Sequence, residues 1–175
     1  MPKSKAVKEL KLNPAEDIKN SMIALSPKEN EMANLMNYKY TDGKLKDFTF
    51  GDIYLSTMQS IYGNFAKSIE KACDNLAITG NVIPVTLDEM HICAELIDGT
   101  VVQEKNKISQ IVSEKVTKIN RVYLNPANCK VAPGVLEAIK NADAIIIGPG
   151  SLYTNVIPNL LIKNVAKTIK DSKAL

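Results

Sequence analysis

Two glycines that flank a proline, followed by hydroxyl side chains, are the part of this sequence whose residue types could do chemistry. The run Gly148–Ser151 reads Gly-Pro-Gly-Ser, and Tyr153 and Thr154 come soon after it. Such a turn can bring main-chain N–H groups close to a bound anion, and a helix that starts there adds unpaired donors and a positive dipole end. The motif predicts a phosphate or carboxylate site at 148–154. A second interpretation stays open, in which the motif only turns the chain and Ser151 caps the helix.

The segments around this motif predict an α/β fold. Ala144–Ile147 is apolar without alternation, as in a strand that is covered on both faces, and a helix should begin at about Leu152. A strand at Ile119–Leu124 and a helix at Pro133–Asn141 complete a βαβα order over 119–172. This order indicates parallel strands with helices on their faces, and ligands of such sheets collect where the strands end.

The first third of the chain, residues 14–76, is predicted to be helical. Asn13 and Pro14 have the residue types of a helix start, and Thr49 to Asp52 is typical of a capping box. Gly63-Asn64 should end one helix and cap the next.

The middle of the chain, residues 82–104, is predicted to contain a β-hairpin. Val82–Leu87 should form a strand that its proline restricts to an edge or an irregular position. His91–Ile97 and Thr100–Gln103 should then pair across an Asp98-Gly99 turn of type I′. The charged stretch 105–118 should be a surface excursion.

Composition narrows the range of functions. The 175 residues include 22 Lys and Arg against 19 Asp and Glu, and the lysines are scattered, so we expect no nucleic-acid partner. Arg121 is the only arginine, so binding of phosphate should rely on the backbone. No run of apolar residues approaches the length of a membrane span, and the first residues are not followed by the apolar h-region of a signal peptide. We therefore expect a cytoplasmic protein without a membrane partner.

The remaining reactive side chains predict little chemistry. The three cysteines, at 73, 93 and 129, lack metal or redox spacing and should be reduced core residues. His91, the only histidine, should face solvent or a polar edge, because alternation puts it opposite Ile92, Ala94 and Leu96. A catalytic base is not expected there, since no carboxylate or nucleophile has a visible relation to it. Asp42 and Asp88-Glu89 should be solvated surface rather than metal ligands. Asp17 is the better acidic candidate, either as a ligand contact or as a first-turn helix carboxylate.

The run from Ile145 to Leu161 resembles the signature of the gluconeogenesis-factor family, which is related to 2-phospho-L-lactate transferase. Three more segments match in the same order. Glu16–Asn20 resembles Gly-Asp-Leu-Arg-Asn, Phe50–Asp52 resembles Phe-Gly-Asn, and Val82–Thr86 resembles Val-Leu-Pro-Ala-Thr. The resemblance extends from about Ser4 to the end of the chain.

This resemblance implies a Rossmann-like three-layer α/β sandwich with a mostly parallel sheet plus a β-hairpin, built as one domain over residues 1–175. It also implies one crevice for a nucleotide-type ligand, such as a UDP-sugar. The ligand-binding residues that it implies are Asp17, Asn20, Phe50, Gly51, Asp52, Gly148, Pro149, Gly150, Ser151, Tyr153 and Thr154. No catalytic and no metal residue is assigned.

The sequence departs from the family at several positions. It lacks a Gly-Gly-Gly-Thr-Gly turn and an Asp-Asp-Gly-Gly-Ser-Ser segment, and we expect a fragment or truncated copy of the family fold. Lys19 and Asp52 replace an arginine and an asparagine, and 104–106 stands where Gly-Glu-Ser is usual. The change at Lys19 keeps the charge but loses the planar fork of arginine.

Three functions follow as alternatives. The first is a non-catalytic cytosolic regulator that binds a UDP-sugar and is linked to gluconeogenic growth and cell-shape control. The second is a transferase that joins phospholactate to a deazaflavin with a divalent metal. The third is a truncated remnant that binds no ligand and packs against another subunit as a homo-oligomer.

Overall fold

In the computed structural model of this chain, the residues fall into two compact units. The first unit ends at Pro84 and the second begins at Val85. The structure describes residues 16–103, 107, 108, 110, 111 and 118–175. The predicted helix start at Asn13, the departure at 104–106 and most of the predicted surface excursion lie outside the described residues.

The described part of the first unit is built from helices. They are α1 (Glu16–Ala24), α2 (Glu29–Met36), a 3₁₀ turn (Gly43–Leu45), α3 (Phe50–Tyr62) and α4 (Phe65–Asn75). Their apolar faces meet in one core, whose most buried members are Met22, Met58, Ile69 and Ala72. The 3.6-residue spacing on α4 places Ile69, Ala72 and Cys73 on this shared face.

Local sequence signals set the boundaries of α3 and α4. The Thr49 side chain accepts the Asp52 amide at 3.2 Å, and the Asp52 carboxylate accepts the Thr49 amide at 2.9 Å, which is a complete capping box. Gly63 ends α3 at φ 65°, a left-handed conformation that glycine adopts readily. Asn64 then caps α4 by accepting the Lys67 amide.

The second unit contains a three-stranded sheet in the order β2-β1-β3. Its strands are β1 (His91–Leu96), β2 (Val101–Gln103) and β3 (Ile119–Asn125). Both pairings are antiparallel. The prediction of a mostly parallel sheet is therefore wrong for the described residues, because β3 pairs with the neighbouring hairpin strand and not with the predicted strand at 144–147.

The hairpin between β1 and β2 is present with a different turn from the one predicted. Pairing of Glu95 with Val101 and the bond from the Leu96 amide to the Thr100 carbonyl leave three residues in the loop. Gly99 alone among them has a positive φ, at 82°, whereas a type I′ turn needs positive φ at Asp98 as well. A three-residue loop with glycine in the left-handed position fits these values, and type I′ is wrong.

The predicted strand Val82–Leu87 is not formed. Only Thr86 makes a β-bridge, with Val131, while Pro84 has no N–H to give to a ladder. A side-chain hydrogen bond replaces strand pairing just after this segment, where the Asp88 carboxylate accepts the Lys130 amide at 2.6 Å. The segment is an irregular connection with one point of pairing.

The predicted strand Ala144–Ile147 is also not assigned as a strand. Ile146 is 88% exposed and Ile147 is 62% exposed, so the segment is not covered on both faces. Backbone hydrogen bonds form at its N-terminal end, where the Ile145 amide bonds the Leu175 carbonyl and the Leu175 amide bonds the Asp143 carbonyl. An apolar strand of this kind needs neighbouring strands. Among the described residues, only Leu175 forms a backbone hydrogen bond with this segment.

Short helices complete the second unit. They are α5 (Val135–Lys140), a π-helix (Leu152–Val156), α6 (Ile157–Leu161) and α7 (Val165–Asp171). Leu124 of β3 packs with Val135, Ile162 and Val165 in one core, and a second core of Ala94, Leu96, Val102 and Ile108 lies on the hairpin. None of the helices among the described residues is long and apolar enough to cross a membrane.

One ion pair crosses the sheet between β1 and β3. Arg121 stands opposite Glu95, and their side chains meet at 2.7 Å, while Asn120 donates a further hydrogen bond to the same carboxylate. These contacts, the Arg121 hydrogen bond first, lower the pKa of Glu95 below its ordinary value of 4.5. Because Arg121 also lies over the Tyr123 ring, the single arginine of the chain is committed to the sheet.

The lowered pKa of Glu95 predicts acid sensitivity. A depressed folded-state pKa gives stability that is present above the unfolded-state pKa and is lost as pH falls through the folded-state value. We expect Glu95→Gln to be less stable than the wild type at neutral pH and to lose less stability between neutral pH and about pH 3. Urea unfolding at both pH values measures this, and equal pH dependence in the two proteins would contradict it.

Candidate ligand-binding site

The predicted residues on α1 surround a buried lysine. Asp17 and Asn20 are exposed on this helix, and Lys19 between them is only 6% exposed. Lys19 shares its helix face with Met22 and Ile23, which are both buried. The helix therefore directs a cation into the interior of the first unit and leaves the two predicted polar contacts outside.

The Lys19 ammonium lies at the beginning of α3. Its Nζ donates a long hydrogen bond, 3.4 Å, to Thr49 Oγ1, the side chain that caps this helix. No carboxylate within the described part of the chain lies within ion-pair distance of Nζ. Two of the three ammonium donors thus have no partner among the described residues, close to the positive end of a 13-residue helix.

Gly51 lets the lysine stem pass. A Cβ at this position would lie 2.6 Å from the Lys19 Cδ and 2.9 Å from the Met36 carbonyl oxygen. Glycine is required here because α2 and the lysine stem both contact the first turn of α3. Its role in the structure is close packing, which the sequence motif alone could not distinguish from ligand contact.

The side chains on either side of Gly51 are also engaged within the unit. The Asp52 carboxylate is a member of the capping box. The Phe50 ring stacks on Tyr54 one turn later, with ring centroids 6.0 Å apart. Each of these two predicted residues therefore has a structural partner at the start of α3.

The glycine motif of the second unit is exposed and is not strained. Gly148, Pro149, Gly150 and Ser151 are all exposed, and neither glycine has a positive φ. A Cβ at Gly148 would meet nothing within 4 Å. The described structure itself places no demand for glycine at 148, in contrast to Gly51.

The hydroxyl residues after this motif differ from one another. Ser151 precedes the π-helix but makes no side-chain capping bond, so capping does not explain it. Tyr153 is 40% exposed, whereas Thr154 is buried and donates to the Asn155 side chain at 3.1 Å. Single π turns are often found at functional sites, and here the turn follows the motif directly.

Other reactive groups lie apart from these residues. His91 is exposed at the start of β1. The three cysteines are free and buried, and burial raises the pKa of the Cys73 thiol. Within the residues that the structure describes, no group of three or more His, Cys, Asp or Glu side chains could hold a metal ion.

Lys19 was not among the residues predicted to bind a ligand. A signal for it is present in the sequence, because Lys19 continues the apolar stripe of Met22 and Ile23 at helical spacing. A cation at a core position is rare unless a partner compensates the charge. That pattern could have identified it before the structure.

Comparison with known proteins gives one consistent family. The family described as 2-phospho-L-lactate transferase CofD matches residues 3–175. A putative gluconeogenesis factor of Clostridium acetobutylicum is 40% identical over 95% of this chain and 37% of that protein. The gluconeogenesis factor of Halalkalibacterium halodurans is 38% identical over 95% of this chain and 51% of that protein.

A solved structure is also similar to this chain. A protein from Bacillus halodurans matches with a TM-score of 0.83 and 36% identity, over 98% of this chain and 54% of that chain. The chain thus spans 37% to 54% of the length of these three relatives.

Replacement by alanine should destabilise the protein at Gly51 and have almost no effect at Gly148. Gly51→Ala should lower the free energy of unfolding by about 1–3 kcal/mol, because the new methyl group overpacks against backbone of α2. Gly148→Ala should change it by less than about 0.5 kcal/mol, since the methyl group enters open space at an ordinary φ. Urea unfolding of both variants measures the contrast, and equal losses would contradict the packing argument.

Proposed function

The chain belongs to the 2-phospho-L-lactate transferase CofD family, and from this premise we propose that it binds the anionic part of a nucleotide-type ligand without catalysing its turnover. The single observation that carries the proposal is the Lys19 ammonium, buried beside the start of α3 without a carboxylate partner among the described residues. Relatives named gluconeogenesis factor support a regulatory function over a catalytic one.

An anion would improve the electrostatics of the first unit. A buried ammonium loses its hydration, and that cost stays uncompensated until an opposite charge or several acceptors surround it. The amide end of α3 adds a positive potential that also favours an anion. A phosphate oxygen could take the unused Lys19 donors, and the exposed Asp17 and Asn20 flank the same helix turn.

The glycine motif is the second place where we propose ligand contact. Exposed glycine without a steric reason is expected where another molecule approaches the backbone closely. Ser151 carries an exposed hydroxyl that no capping bond uses. The motif would supply main-chain and hydroxyl donors, whereas the sole arginine already pairs with Glu95.

We propose a UDP-sugar as the ligand and the cytoplasm as the location. The regulator would act in growth on gluconeogenic carbon and in cell-shape control. These assignments rest on the family resemblance, and a nucleotide diphosphate offers anionic oxygens of the kind that the Lys19 ammonium would bind.

A second candidate function is transfer of a phosphorylated hydroxy acid to a deazaflavin, which the description of the matching family favours. Product formation that depends on a divalent metal, followed by mass spectrometry, would establish it. Binding of UDP-glucose without turnover would favour the regulator.

Lys19→Met separates function from stability. Methionine has nearly the same length and no charge, so we expect unfolding to require equal or higher urea, because the uncompensated ammonium is removed. The affinity for UDP-glucose, measured by calorimetry, should fall about tenfold to a hundredfold through loss of charge-assisted hydrogen bonds.

Lys67→Met is the matched control, because Lys67 is an exposed lysine on α4 of the same unit. It should leave both affinity and stability near the wild-type values. A Lys19→Met protein that is destabilised and binds as tightly as the wild type would show that the lysine is structural, and the proposal would fail.

A further inference from the structure

We propose that Lys39 is a second cation of the anion site at Lys19, and that Asp47 competes with the bound ligand for it. The inference rests on the proposed function and deepens it, because it names the residues that set the affinity of that site and the charge that the ligand must carry. It starts from an ion pair on the surface of the first unit, in which the Lys39 ammonium lies 3.1 Å from the Asp47 carboxylate.

Lys39 stands directly across from the residue that contacts the Lys19 ammonium. It forms an isolated antiparallel β-bridge with Thr49. The backbone hydrogen bonds of this short ribbon lie on either side of the bridge and not at it, so the two residues form a non-hydrogen-bonded pair. Side chains of such a pair share one face, with Cβ atoms about 4.5–5.5 Å apart. Because Thr49 Oγ1 accepts the 3.4 Å hydrogen bond from Lys19, the flexible stem of Lys39 can bring a second ammonium to this site.

The ion pair between Lys39 and Asp47 is easily opened. The two side chains are 59% and 54% exposed, so water and salt screen their attraction. Without an anion, repulsion between the two ammonium groups favours the pairing of Lys39 with Asp47. A phosphate bound at Lys19 reverses this preference, because it attracts both cations.

The turn at Asp47 does not by itself require an aspartate. This residue has a φ of 72°, in the left-handed region that aspartate tolerates better than most residues but that glycine adopts without steric cost. The hydrogen bond from its amide to the Tyr40 carbonyl would be available to glycine as well. The pairing with Lys39 gives the carboxylate a role that the backbone conformation does not.

Two cations select a ligand by its charge. A carboxylate has a single negative charge that Lys19 alone can compensate, so such a ligand gains little from opening the ion pair at Lys39. The diphosphate of a nucleotide-sugar carries about two negative charges and several oxygens, and it can accept hydrogen bonds from both ammonium groups. The site should therefore favour a diphosphate over a simple carboxylate.

Calorimetry with UDP-glucose tests the inference as a double-mutant cycle. Lys39→Met should lower the affinity about fivefold to twentyfold, through loss of a charge-assisted hydrogen bond. Asp47→Asn should raise it about threefold to tenfold, because asparagine tolerates the left-handed conformation but does not hold Lys39. In the Lys39→Met background, Asp47→Asn should have no effect, since the cation for which Asp47 competes is gone.

Lys44→Met and Asp42→Asn are the matched controls. Both residues are exposed in the loop between Lys39 and Asp47, and neither forms an ion pair with another described residue. Both substitutions should leave the affinity near the wild-type value. Circular dichroism should show every variant folded, because an exposed ion pair contributes little to stability.

The possible results separate this inference from the proposed function. An equal gain from Asp47→Asn with and without Lys39 would show a general effect of charge and would overturn the inference. An affinity that falls in Lys19→Met but is unchanged in Lys39→Met and Asp47→Asn would overturn it and leave the proposed function standing. A wild-type protein that does not bind UDP-glucose would overturn both.

Discussion

The passage of the Lys19 stem across Gly51 is the constraint on which the first unit depends. The lysine stem, the first turn of α3 and the Met36 carbonyl of α2 all meet at the missing side chain of Gly51. Any Cβ there would force apart α1, α2 and α3. The same close approach brings the ammonium to the cap of α3, where we propose that an anion binds.

Features that depend on neighbouring residues could be predicted from the sequence. The capping box at Thr49 and Asp52, the glycine that ends α3 and the existence of the β1–β2 hairpin each rest on a few residues close in the chain. The turn type was missed because Asp-Gly permits two loop lengths, and the register of β1 against β2 decides between them. Local sequence signals therefore predict where helices begin and end better than they predict how strands pair.

Features that depend on distant partners could not be predicted. Ala144–Ile147 has the composition of a buried strand, but strand formation needs a neighbour, and among the described residues only Leu175 forms a backbone hydrogen bond with this segment. The same limit explains the antiparallel sheet, because β3 had a partner available in β1. The candidate site also combines residues with local partners and a residue whose role depends on distant ones. Motif residues such as Phe50 and Asp52 have structural partners. Lys19 lies in the family-like segment Glu16–Asn20 but was not among the predicted ligand residues, and it was recognisable as a cation on an apolar helix face.

The glycines and the cations of this chain show why a motif does not assign its own function. Gly51 and Gly148 both lie in segments that resemble the family, yet a side chain at the first would collide with backbone and a side chain at the second would enter open space. Arg121 has the side chain best suited to phosphate, but Glu95 and Tyr123 hold it in the sheet. Lys19 is the weaker chemical ligand of the two, and it is the one without a carboxylate partner among the described residues. Availability, which depends on the partners already made within the fold, therefore decides the candidate site more strongly than residue type does.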